Sequence, residues 1–201
     1  MKKKLKKDFY TRDVLIVAKE LLGKIFVFND VRLNKKLSAK IVEVEAYDGN
    51  VDEASHSFIG KTERNKIMFE KGGYLYVYFT YGMHFCANIV TGVKDHGTGI
   101  LLRAMEPIEG IETFTQNRFG KIDLKNSEIN KLLSGPGNIC KAFNITKEQY
   151  GSDLTKNSIF LLNDQELNDS EIIASKRIGI KKSKDLMWRF YIKDNPCVSK
   201  K

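Results

Sequence analysis

Residues 74–89 read YLYVYFTYGMHFCANI. Four of the chain's eight tyrosines, Tyr74, Tyr76, Tyr78 and Tyr81, fall in the first eight of these positions, with Phe79 and Phe85 beside them. Period-two alternation puts Tyr74, Tyr76, Tyr78 and Thr80 on one face of a strand and Leu75, Val77, Phe79 and Tyr81 on the other. Gly82 interrupts the run, and a return strand follows through Ile89. Two strands joined by so short a break pair antiparallel. One face supplies core and the other lines something with tyrosine rings. Tyr81 stands at the turn, where it cannot easily be core. An aromatic at a hairpin tip is a candidate wedge between base pairs, although aromatic residues also favour strands for packing alone.

The flanking sequence extends the same reading. TRDVLIVAKELLG is an amphipathic helix, capped by Thr11 or Asp13 and ended by Gly23. KIFVF is a strand with Asn29-Asp30 as turn material. AKIVEVEAY alternates, with Val42, Val44 and Ala46 on one side and Ile41, Glu43, Glu45 and Tyr47 on the other. After a loop over 48–62 come a short helix in ERNKIMFEK, the tyrosine hairpin, a strand in GILLRAM, and a helix in PIEGIETFTQNRF with Pro107 in its first turn. Residues 127–144 hold two short helices broken at Ser134-Gly135-Pro136-Gly137, and SIFLL, EIIASKRIGI and WRFYI are late strands. Consecutive strands outnumber helices, which predicts one mixed α+β domain with a largely antiparallel sheet.

Composition narrows the partners. Of 201 residues 42% are hydrophobic, enough for one sizeable core, and the formal net charge is +9. Residues 1–40 carry 12 Lys+Arg against 4 Asp+Glu, residues 171–201 carry 9 against 3, and the middle carries 13 against 18. Basic ends around an acidic centre suit a site that holds carboxylates inside a positive rim, and they favour a polyanion such as nucleic acid. The start, MKKKLKK, reads equally as a solvated tail. Cys86, Cys140 and Cys197 are odd in number and far apart, so neither a disulfide framework nor a zinc cluster is implied. No run approaches the roughly 20 apolar residues of a membrane helix. A soluble, intracellular protein is expected.

Several residues carry candidate chemistry. Glu43 and Glu45 lie two apart on one strand face, about 6.8 Å from each other. Two partly buried carboxylates that close discourage each other's ionisation and can supply an acid or base; an exposed strand face would also carry glutamates. Arg103, inside an apolar strand, calls for a carboxylate partner such as Glu45 or Glu106. His56, in EASHSF, offers a donor and an acceptor that suit the edge of a heterocycle, as a surface histidine also would. His84 and His96 have no partners at metal-ligand spacing, so no metal is expected. LLSGPGNICKAF is superficially like a helix-hairpin-helix phosphate clamp, but Gly-Pro-Gly is also a plain helix break.

Taken together, VEVEAYDG, DEASHS, LYVYFTYGMHFCANI, LLRAMEPIEG and LSGPGNICKAF resemble, in order, the alkyladenine (3-methyladenine) DNA glycosylase family. The resemblance runs from about Phe9 to Val198 and leaves the first eight residues outside as a basic tail before a single domain over 9–201. It implies a curved antiparallel sheet with surrounding helices and a protruding β-hairpin. It implies an enzyme without cofactor, acting as a monomer on double-stranded DNA that contains damaged purines. In that resemblance Glu45 matches the general base that activates water, and Arg103 its partner in holding that water. Tyr47, His56 and Tyr78 match pocket walls around a flipped base, and Asn88 a residue that crowds out guanine's amino group. Tyr81 matches the residue that fills the gap in the duplex, and Met83 and His84 match DNA contacts. His84 departs from relatives that carry tyrosine there, which affects fine contacts and not the reaction. Glu43 receives no role from the resemblance. Two other readings compete: a carbohydrate hydrolase using Glu43 and Glu45, and a noncatalytic DNA-binding module.

Overall fold

A computed structural model of the chain describes residues 2–32, 34–80, 82–122, 125–156 and 158–200. After a one-turn helix α1 (Lys7–Tyr10), helix α2 (Val14–Leu21) opens on Asp13, whose carboxylate accepts from the amides of Leu15 and Ile16. That satisfies two of the donors a helix start leaves open. Val14, Val17, Ala18 and Leu21 bury its inner face. Strands β1 (Ile25–Asp30) and β2 (Lys35–Asp48) follow. Asn29 and Asp30, expected in a turn, are instead the end of β1, because they pair in register with Lys36 and Lys35.

The tyrosine stretch forms the expected hairpin of β3 (Leu75–Thr80) and β4 (His84–Thr91), and β5 (Thr98–Glu109) returns beside β4. Leu75 and Val77 enter the main core, whereas Tyr76 packs with Met68 and Val90 in a separate cluster against which Tyr74 and Tyr78 lie. Pro107 belongs to the end of β5 and not to a helix; helix α3 (Ile111–Phe119) starts after Gly110. Gly110 has φ 89°, and a side chain there would strike Leu37, so the glycine fixes where the helix begins. Pro107 faces Ala39 beside an irregularity in the β2–β5 register, where a missing N–H does little harm. Helices α4 (Asn126–Ile129) and α5 (Pro136–Phe143) precede β6 (Ile159–Leu162), β7 (Ile172–Ser175) and β8 (Arg189–Ile192). Of EIIASKRIGI, only Ile172–Ser175 is strand; from Lys176 the chain leaves the sheet as a strap.

The result is a mixed α+β domain on one curved antiparallel sheet, ordered β3-β4-β5-β2-β1-β6, with β8 joining both β2 and β7. β2 is its axis. β5 runs along one edge of it, while β1 and then β8 pair with the other. With both edges occupied, residues Ile41 to Ala46 are all buried. The simple alternation expected for AKIVEVEAY does not survive. The register with β5 shifts on both sides of Glu43, and Ile41 joins Val44 and Ala46 in the main core while Val42 packs with Ala104 and Cys197. An extra residue in one strand reverses the alternation beyond it. Glu43 lies between the two shifts and Glu45 past both.

The lysine-rich start lies against the sheet. The Leu5 amide donates to the Leu161 carbonyl at 2.9 Å, the Asn163 amide donates to the Lys3 carbonyl at 2.8 Å, and Leu5 is buried. No helix of the described residues is long and apolar enough to cross a membrane.

Candidate active site

Where β2, β3, β4 and β5 come together, a cavity of about 340 Å³ opens. Its walls are Tyr47 from β2, Tyr76 and Tyr78 from β3, Asn88 from β4 and Arg103 from β5, with His56 from the loop after β2. Pro136, at the start of α5, and the strap residues Ile178 to Ile180 close the remaining sides. A larger hollow of about 510 Å³, between α2 and the segment after β6, brings together none of the residues singled out from the sequence.

Glu45 sits behind this cavity, fully buried and tied on both oxygens. Its Oε1 accepts from the Ile178 amide at 2.7 Å. Its Oε2 accepts from the Tyr47 hydroxyl at 2.8 Å and faces Arg103 Nη1 at 3.3 Å. Tyr47, Arg103 and Ile178 all line the cavity, so the partners of both Glu45 oxygens border it. Burial, and then the Glu45 charge, push the Tyr47 phenol far above its ordinary value, which keeps its proton on the oxygen that donates. Arg103 pairs with Glu45, as expected, but its second partner is Glu43, through Nε at 3.2 Å. Glu106, the other candidate, pairs with Lys40 instead.

The aromatic wall is internally organised. Tyr76 and Tyr78 stack with centroids 5.4 Å apart, and the His56 ring stands edge-to-face on Tyr78 at 4.5 Å. His56 lies exposed at the rim, yet its Nδ1 edge turns inward to the Tyr76 hydroxyl at 3.0 Å. Although the residue is exposed overall, desolvation of the ring edge packed against Tyr76 and Tyr78, and then the Arg64 guanidinium, lower the His56 pKa, which favours a neutral imidazole. Burial raises the Tyr76 phenol to about 12 and the Tyr78 phenol further. These rings are therefore neutral hydrogen-bonding surfaces at physiological pH. Asn88 is buried beside them, its amide 3.5 Å from the Tyr76 carbonyl.

Met83 and His84 do not line the cavity. They are exposed near the hairpin tip and line a neighbouring groove with Gly137 and Lys141. Tyr81 lies outside the described residues. The Gly-Pro-Gly break is tied to the site: the Gly135 amide donates to the Arg103 carbonyl at 2.8 Å, and Pro136 lines the cavity. Among the described residues, no group of three His, Cys, Asp or Glu side chains is arranged to hold a metal ion.

Among the residues that sequence reasoning missed are two that anchor the strap. Arg177 and Asp52 form an ion pair with neither side chain exposed. Arg177 Nη1 also donates to the Ala46 carbonyl at 2.9 Å, and the guanidinium lies over the Tyr47 ring at 4.5 Å and the Trp188 ring at 5.6 Å. This pair pins the strap immediately before Ile178, whose amide holds Glu45. The one available signal was Asp52's place four residues before His56, in a loop already under suspicion; nothing near Arg177 announced it.

The comparisons agree on a family. Residues 8–196 match the family model described as Methylpurine-DNA glycosylase (MPG). A protein of Clostridium novyi is 51% identical, with 99% of this chain and 100% of that protein covered. One of Alkaliphilus oremlandii is 48% identical, with 98% and 100% covered, and one of Clostridium botulinum is 42% identical, with 98% and 100% covered. All three bear the name "Putative 3-methyladenine DNA glycosylase". Nearly end-to-end similarity, on a fold that gathers Glu45, Arg103 and the tyrosine wall around one cavity, leads to one assignment: the chain belongs to the methylpurine-DNA glycosylase family.

Proposed function

We propose that this protein is a DNA repair glycosylase that takes a damaged purine out of duplex DNA, holds it in the tyrosine-walled cavity and hydrolyses its N-glycosidic bond. The family and relatives named for 3-methyladenine support that substrate class. The observation that carries the mechanism is the Glu45 carboxylate, set behind the cavity and reached through Tyr47 and Arg103.

Chemistry on a base inside a duplex requires extrusion at a cost of a few kcal/mol. Stacking on tyrosine returns on the order of 1–3 kcal/mol per base, and Tyr81 offsets more by filling the gap left in the stack. Tyr47, His56 and Tyr78 face the base. A purine alkylated on a ring nitrogen is cationic, so aromatic faces attract it and it leaves more easily. Asn88 crowds the exocyclic amino group of guanine and so disfavours the normal base. Met83 and His84 contact the DNA beside the lesion. As the glycosidic bond breaks, the sugar gains oxocarbenium character. Glu45 stabilises that charge and accepts the proton of a water that Arg103 helps to hold, leaving an abasic site and an uncut strand.

A duplex carrying a single hypoxanthine or alkylpurine, incubated with the protein and then treated with alkali, tests the proposal. Alkali-dependent cleavage at the lesion is expected. Intact strands with well-folded protein, across a panel of such lesions, overturn it.

A further inference from the structure

Glu43 drew notice in the sequence and takes no part in the mechanism above. It is fully buried and does not line the cavity. Its Oε1 accepts from Arg103 Nε at 3.2 Å, Arg189 Nε at 2.8 Å and the Ser199 hydroxyl at 2.9 Å. Its Oε2 accepts from the Ser199 amide at 2.6 Å. Three of these four contacts come from Arg189 and Ser199, which do not line the cavity, whereas Tyr47, Arg103 and Ile178, the partners of Glu45, all do, which argues against Glu43 as the base.

The same contacts give it another task. A guanidinium is planar and rigid, so fixing its Nε edge fixes where its Nη atoms point. Glu43 fixes Nε of Arg103, and Nη1 of that guanidinium meets Oε2 of Glu45. Arg189 supplies the second positive charge, so two buried carboxylates face two buried guanidiniums. That balance matters because an unpaired buried charge is costly. The C-terminal segment completes the arrangement. Ser199 donates twice to Glu43, and the Lys200 carbonyl accepts from Arg189 Nη2. Cys197, just before it, packs against Val42 and Ala104 and so anchors that segment to β2 and β5.

We propose that Glu43 is a positioning residue that acts through Arg103, held in place directly by Ser199 and, through Arg189, by the Lys200 carbonyl. This rests on the glycosylase reading and names a control on the same site. Glu43→Gln keeps the shape, but its amide nitrogen must face either the Ser199 N–H or the arginine donors.

The test times base release under single turnover, with protein in excess over a duplex bearing one hypoxanthine. Wild type, Glu43→Gln, Ser199→Ala and Arg103→Lys are compared, with Glu43→Gln also combined with each of the other two. Release is expected to slow about 10- to 100-fold in Glu43→Gln, the scale of a small misplacement of a reacting group, and several-fold in Ser199→Ala. Affinity for the same duplex stays within about 2-fold. Neither Arg103→Lys nor Ser199→Ala adds its full effect to Glu43→Gln, since residues acting as one unit are not additive. A purely structural role would give additive losses that track the folded fraction, measured by thermal unfolding. If Glu43→Gln does not fold, Ser199→Ala with Arg103→Lys carries the same cycle. Wild-type rates in Glu43→Gln, or full additivity, overturn the inference while leaving the function intact. A wild type that releases no base from any lesion overturns both.

Discussion

Replacing Asp52 by alanine should be the most damaging single change outside the cavity itself. Asp52 and Arg177 have no exposed side-chain surface. With Asp52 gone, the guanidinium keeps, among the described residues, the Ala46 carbonyl at 2.9 Å, the Ser183 carbonyl at 3.3 Å and the faces of Tyr47 and Trp188. Removing one partner of a buried ion pair costs about 3–5 kcal/mol, because the other charge stays buried alone. For a chain of 201 residues each kcal/mol moves the melting temperature by about 2–4 °C. Asp52→Ala should therefore melt about 6–20 °C below wild type in a circular-dichroism thermal scan. The double replacement Asp52→Leu with Arg177→Met should recover most of that loss, since apolar side chains of similar volume can replace a buried pair. Recovered stability should not restore base release, because the strap that offers the Ile178 amide to Glu45 has lost its anchor. A melting temperature for Asp52→Ala within about 2 °C of wild type would refute the claim that the buried Arg177 charge depends on Asp52.

Other expectations follow from the cavity. Tyr47→Phe keeps the ring and deletes the 2.8 Å hydrogen bond to Glu45, so base release should slow more than lesion affinity falls; a variant equal to wild type in both would mean that this hydroxyl does not hold the carboxylate. Burial and Arg64 lower the His56 pKa from 6.5, so the stability contribution is present above pH 6.5 and is lost as pH falls through the lowered folded-state value. His56→Gln should flatten the loss of stability between about pH 7 and pH 5, and an unchanged slope in that variant would contradict the assignment. Tyr81→Ala should weaken flipping of the lesion, read by 2-aminopurine fluorescence beside it, more than it weakens binding to undamaged DNA; equal losses would remove the wedge role.

The sequence made some of this legible and concealed the rest for physical reasons. The hairpin around Gly82 was readable because its pattern is local: two alternating runs and one break. Glu43, Glu45 and Tyr47 were readable as neighbours for the same reason. Arg103 announced a partner by sitting in an apolar strand, but which carboxylates it met depended on the β2–β5 register, and that register is irregular at Glu43. The same bulge defeated the prediction of which residues share a face with Ile41. Pro107 was misplaced because proline suits a first helical turn as well as a strand end, and tertiary pairing decided between them. Asp52 and Arg177 stand 125 residues apart, and Glu43 and Ser199 156. No local pattern signals such contacts. The backbone N–H of Ile178 was out of reach altogether, since every residue but proline has one and only the fold selects which is used.

The measurement closest to the central claim is single-turnover base release by Glu45→Gln, with its affinity for the same lesion-bearing duplex measured in parallel. The substitution keeps the length and shape of the side chain and removes its charge and its capacity to take a proton. Lesion binding near wild type with base release lost is the expected result. A Glu45→Gln protein that still frees the base at the wild-type rate would show that this carboxylate does not activate the water, and the mechanism built on it would fall.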